Sequence, residues 1–184
     1  MVYEKSKNTK DEIVLAFSKV INKKQSLDKV RVNDILEEAK ISRSTFYNHF
    51  KDTDAIVAKI FIDLIRTFIK EIDKIFERKD QNIEENIRAI TKVLDKNKTV
   101  YRASINSINV PEFMDKLKSY VLRHIYSNIS KYKINIEQEK LIELTIVVNG
   151  SIDIIIDYFK SRVDCEAEVI YSTIVKQVKG LNIF

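Results

Sequence analysis

An all-α chain of about nine helices is what the sequence predicts, on three observations. Only two glycines and one proline occur in 184 residues, so tight β-turns and glycine-built phosphate loops have almost no raw material. Apolar residues recur at helical spacing through most of the chain. Between those runs stand residues that cap helices. With 45% hydrophobic and 32% charged residues, the composition supports a packed core under a solvated surface.

Thr9 followed by Glu12 predicts the first helix start, each side chain satisfying a backbone donor of the first turn. Ile13, Ala16, Phe17, Val20 and Ile21 then form one buried stripe. After a polar connector around Gln25 to Asp28, Val32, Ile35, Leu36 and Ala39 predict a second helix of barely two turns. Lys40 and Ile41 break that pattern. Ser42 caps a third short helix, Arg43 to His49 or Phe50. Asp52 caps a fourth, from Thr53 to about Arg78, with Ile56, Ile60, Leu64, Ile69, Ile72 and Phe76 apolar. Later starts are expected at Asn82 with Glu85, at Thr99, at Pro111 in a first turn, at Asn135 with Gln138, and at Asp164. Neither a repeat nor a flexible linker is evident. The expected division is residues 1–52 and 53–184, with the boundary in or beside the fourth helix.

Several function classes lack the residues they need. Cys165 is the lone cysteine, so neither an intramolecular disulfide nor a cysteine-based zinc site is expected. Asp164 and Glu166 beside it oppose a reactive thiolate. His124 has no partner at helical spacing and is expected at the surface or an edge. Met1 to Lys10 is polar, unlike a secretory leader. Leu141 to Phe159 is apolar but interrupted by Glu143, Asn149, Asp153 and Asp157, which argues against a membrane span. A cytoplasmic protein that is not an enzyme and carries no cofactor or metal is the expectation. The net charge of +5 supports nucleic-acid binding only weakly.

The second and third helices carry the stronger signal. Two short helices joined by a three-residue turn match a helix-turn-helix, whose second helix enters the DNA major groove. Arg43, Ser44, Tyr47 and Asn48 cluster on one side of the third helix, with Phe46 and Phe50 elsewhere. Arginine suits a bidentate pair with guanine. Ser44, Thr45 and Asn48 suit base edges or phosphate, and Tyr47, His49 and Lys51 suit backbone oxygens.

The run Val32-Asn33-Asp34-Ile35 through Ala39, then Ile41-Ser42-Arg43-Ser44-Thr45-Phe46-Tyr47-Asn48-His49-Phe50-Lys51, resembles the tetracycline-repressor (TetR) family over roughly residues 9 to 60. The Arg-Ser-Thr-Phe-Tyr-x-His-Phe-x-Asp wording looks like the branch containing regulators of dihydroxyacetone kinase operons. The resemblance implies an all-α homodimer, a three-helix DNA-binding domain and a helical domain that binds a small-molecule effector, usually in a repressor. DNA contacts are then expected from Arg31, Ser42, Arg43, Ser44, Thr45, Tyr47, Asn48, His49 and Lys51. Lys40 and Ser44 stand where the family often has glycine, and Arg31 where it often has a capping threonine, so the operator is this chain's own. A helical co-regulator acting through protein contacts is the alternative.

On a helical wheel, Leu141 to Phe159 is apolar around most of its circumference, and Gly150 permits close approach. With the last helix, which Gly180 is expected to end, it predicts a four-helix interface between two copies through Ile146, Gly150, Ile154, Ile170, Ile174 and Val178. A two-fold dimer calls for a near-palindromic double-stranded operator. Candidate effector contacts are Phe68, Tyr101, Phe113, Met114, Tyr120 and Asn149, with Tyr126 another aromatic of that region.

Overall fold

A computed structural model describes residues 2–78, 83–105 and 110–183, without the side chains of 2–8 and 110–114. Among the described residues there are nine α-helices and no strand: α1 Val2–Lys24, α2 Val32–Ala39, α3 Arg43–Tyr47, α4 Thr53–Glu77, α5 Ile83–Lys96, α6 Lys98–Ser104, α7 Val110–Lys131, α8 Gln138–Phe159 and α9 Ala167–Gly180. The chain is all-α, as its composition requires.

Two compact units divide it, one comprising Met1–Asp63 with Asn97–Ser107 and the other Leu64–Lys96 with Ile108–Phe184. The passage from one to the other falls inside α4. In the first unit the whole predicted stripe of α1 is buried, with Ile13, Phe17 and Ile21 fully enclosed. Ile35, Phe46, Phe50, Ile56, Val57 and Phe61 complete that core, and α6 adds Val100 and Tyr101. The Tyr101 ring meets Phe61 edge-on, with centroids 5.2 Å apart. The second unit packs α5 against α9, α9 against α8, and α8 against α7, around residues such as Ile87, Leu94, Val121, Leu144, Ile152 and Ile170.

Capping signals in the sequence prove less reliable than apolar stripes. α1 begins at Val2, so Thr9 lies inside it; without glycine or proline in that stretch, helix propagation overrides a local cap. α6, α8 and α9 start after Asn97, Glu137 and Glu166, not at Thr99, Asn135 and Asp164, and in none of the three does the N-cap side chain bond the first turn's backbone. The Asn82 cap lies outside the described residues. The connector after α1 contains a 3₁₀ turn, Leu27–Lys29, with Leu27 buried.

Helix ends reveal how a chain poor in glycine turns corners. Lys40, Lys133 and Ser161 take left-handed backbone after α2, α7 and α8, with φ of 54°, 52° and 57°. Each is followed by an N–H bonded five residues back: Ile41 to Leu36, Ile134 to Ile129 and Arg162 to Asp157. These are Schellman endings built on residues other than glycine. Gly180 has no such role, because no described glycine has positive φ; Asn182, with φ of 47°, takes it beyond α9.

Candidate nucleic-acid interface

The helix-turn-helix is held from beneath by α1. Lys19 and Lys23 pair with Glu38 at 3.2 and 2.9 Å, and Lys24 pairs with Asp34, so α2 is fastened along the end of α1. The Asp34 carboxylate also accepts from the Arg31 backbone N–H at 2.7 Å. That is half of a capping box, made without a hydroxyl at Arg31, whose guanidinium cannot accept. The Lys24 hydrogen bond, then the Arg31 backbone, hold the Asp34 carboxyl below its usual range.

Lys40 to Ser42 form the turn, and α3 follows. Its N-terminus is preorganised: Ser42 Oγ accepts from the Thr45 N–H at 3.1 Å and shares a hydrogen bond with Thr45 Oγ1 at 2.8 Å. α3 ends at Tyr47, shorter than its sequence suggests; Asn48 and His49 continue as a turn in which the His49 and Phe50 N–H groups both reach the Phe46 carbonyl at 2.9 Å. Phe46 is completely buried and Phe50 nearly so. Arg31, Ser42, Arg43, Ser44, Tyr47, Asn48 and Lys51 are exposed, whereas Thr45 and His49 are half-buried. Tyr47 leaves 49% of its surface in solvent while its ring edge packs on Phe46, centroids 5.3 Å apart. Arg43 donates to the Asn33 side-chain oxygen on α2, a partner that sequence reading missed because it lies ten residues away on another helix. After Lys51, Asp52 Oδ1 accepts from the Ala55 N–H at 2.8 Å and starts α4.

The second unit contains a cavity of about 150 Å³ lined by α4, α5, α7, α8 and α9. Of the expected effector contacts, Phe68 lines it. Tyr101 instead sits in the first unit's core with 1% of its surface exposed, and Tyr120 is exposed. Asn149 is absent from the lining, and the side chains of Phe113 and Met114 lie outside the described residues. The lining residues not singled out as effector contacts in the sequence, among them Ile72, Val148 and Ile155, belong to apolar stripes that serve equally well as core. Ile174 and Val178, expected at a dimer surface, line this cavity, and Ile170 is buried. A stripe at coiled-coil spacing does not say which helix covers it. Ile146 and Gly150 do face outward, and Ile154 is half-buried.

Two sequence profiles match. One described as "Transcriptional regulator C-terminal region" covers residues 81–180, and one described as "Bacterial regulatory proteins, tetR family" covers residues 23–60. The chain belongs to the TetR family. The TetR_N match spans the end of α1 through the first two turns of α4, the segment that carries the helix-turn-helix. Neither description names the dihydroxyacetone kinase branch. No curated protein matches the sequence. This TetR-family regulator has no helix among its described residues long and apolar enough to cross a membrane.

Proposed function

We propose that the protein is a homodimeric, operator-specific repressor whose DNA affinity changes when a small molecule occupies the second unit. One observation carries the DNA-binding part: Arg43, Ser44, Tyr47 and Asn48 are all exposed on and just after a helix anchored by the buried Phe46. Arg43 is the base reader, its guanidinium oriented by Asn33 and still offering other donors. Ser44 and Asn48 meet base edges or phosphate. Tyr47, His49, Lys51 and Arg31 position the duplex, while Ser42 and Thr45 act chiefly on one another to shape the helix start.

Dimerisation is supported by α8, where Ile142 and Ile146 are 61% and 65% exposed and Gly150 has open space around its Cα. Effector control follows if the ligand binds more tightly to the dimer arrangement that fits DNA poorly.

Fluorescence anisotropy with DNA from upstream of the protein's own gene tests the reading. Specific binding is expected, falling with salt, weakened by about 1–3 kcal/mol in Arg43→Ala and also reduced in Tyr47→Ala, while circular dichroism stays unchanged. A folded protein showing no preference for that DNA over random sequence refutes it.

A further inference from the structure

We propose that the cavity in the second unit takes a neutral molecule about the size of one aromatic ring, carrying at most one hydrogen-bonding group, which Ser151 meets. The proposal rests on the reading of this cavity as the effector site and specifies its chemistry.

Charge decides the first part. The walls come from Phe68 and Phe76 on α4, Ile87 on α5, Val121 on α7, Val148 on α8 and Ile174 on α9, with similar neighbours, and among the described residues none that lines it is Asp, Glu, Lys, Arg or His. A carboxylate or ammonium entering there loses its hydration and gains no counter-ion. Volume decides the second. A cavity of about 150 Å³ with aliphatic and aromatic walls matches the volume that holds benzene, and a fused polycyclic ligand exceeds it.

Hydrogen bonding decides the third. The Thr91 hydroxyl already donates to the Arg88 carbonyl at 2.9 Å, and the Tyr171 hydroxyl to Asp95 at 3.0 Å. Asn182 lies exposed beyond α9. Ser151, half-buried on α8, makes no side-chain hydrogen bond to any described residue. Among the lining hydroxyls of the described residues, its own is the one with a proton still free to donate as well as lone pairs to accept, so it can meet a phenol, alcohol or carbonyl.

The test is calorimetry and thermal melting of the intact protein with toluene, p-cresol and benzoate, without DNA. Toluene and p-cresol are expected to bind and raise the melting temperature, and benzoate to do neither. Val148→Phe and, independently, Ile155→Phe fill the cavity and abolish both gains, their folding checked by circular dichroism. In Ser151→Ala the preference for p-cresol over toluene falls about three- to tenfold with toluene affinity unchanged. Equal binding of benzoate, no binding of either neutral probe, or full binding by a folded filled variant overturns the proposal; an unchanged p-cresol preference overturns the role of Ser151. Anisotropy with DNA is a separate measurement. Toluene bound in the cavity with DNA affinity unaltered sinks effector control and leaves the ligand class standing, whereas intact DNA binding with no neutral ligand bound sinks the ligand class and leaves the DNA-binding reading standing.

Discussion

Arg43 and Phe46 lie three residues apart on one five-residue helix, the first exposed and the second completely enclosed. If Arg43 reads a base as proposed, Arg43→Ala is expected to weaken specific DNA binding by about 1–3 kcal/mol with the melting temperature unmoved, since the side chain is exposed. Phe46→Ala empties a completely enclosed position and is expected to destabilise the protein by about 3–5 kcal/mol, read by thermal or urea denaturation. What the sequence shows of this helix is a polar side through Ser44, Tyr47 and Asn48 and an apolar one through Phe46; the structure places the first three in solvent and Phe46 in the core. Partners from distant helices are not legible in the sequence. His124 looks isolated along the chain, yet its Nε2 lies 2.8 Å from Asp73 Oδ1, which also accepts from Asn128 at 3.0 Å. That acceptor is 51 residues away, and no periodicity announces it.

Element by element, the stripes of α1, α2 and α4 could be read because each requires several residues to agree, while a cap is one residue of a type common in any polar loop. Lys40 illustrates the cost of ending a helix without glycine. A side chain in left-handed backbone is strained by about 1–2 kcal/mol, partly offset because glycine is freer when unfolded. Lys40→Gly is therefore expected to stabilise by about 0.5–1 kcal/mol, seen as a higher melting temperature. The clamp between α1 and α2 has a pH signature. Asp34 has a depressed pKa when folded, so its contribution is present above the unfolded value near 3.8 and is lost as pH falls through the lower folded value. In melts recorded on descending from pH 5 to pH 2, Asp34→Asn should show a smaller loss of melting temperature than the native chain.

At the scale of the whole molecule, the outward face of α8 should decide assembly. Ile146→Glu places a charge where Ile146 is exposed in the single chain and is expected to shift sedimentation from dimer to monomer and to weaken operator binding, with helical content kept. Apolar character on α8 and α9 was visible in the sequence, but its division between cavity and outer surface required the packing, which turned Ile174 and Val178 inward. The first unit also recruits Asn97–Ser107, whose Val100, Tyr101 and Ser104 are wholly enclosed. A fragment ending at Asp63 is thus expected to show a broad, weakly cooperative melt. The DNA-reading head is, in consequence, not a portable cassette. A chimaera joining residues 1–63 to a foreign C-terminal region inherits a hole where Tyr101 stood, and a working exchange of reading heads has three splice points to respect, at 63/64, 96/97 and 107/108. Recombination with a single crossover in α4 would favour only partners that already carry an aromatic able to face Phe61.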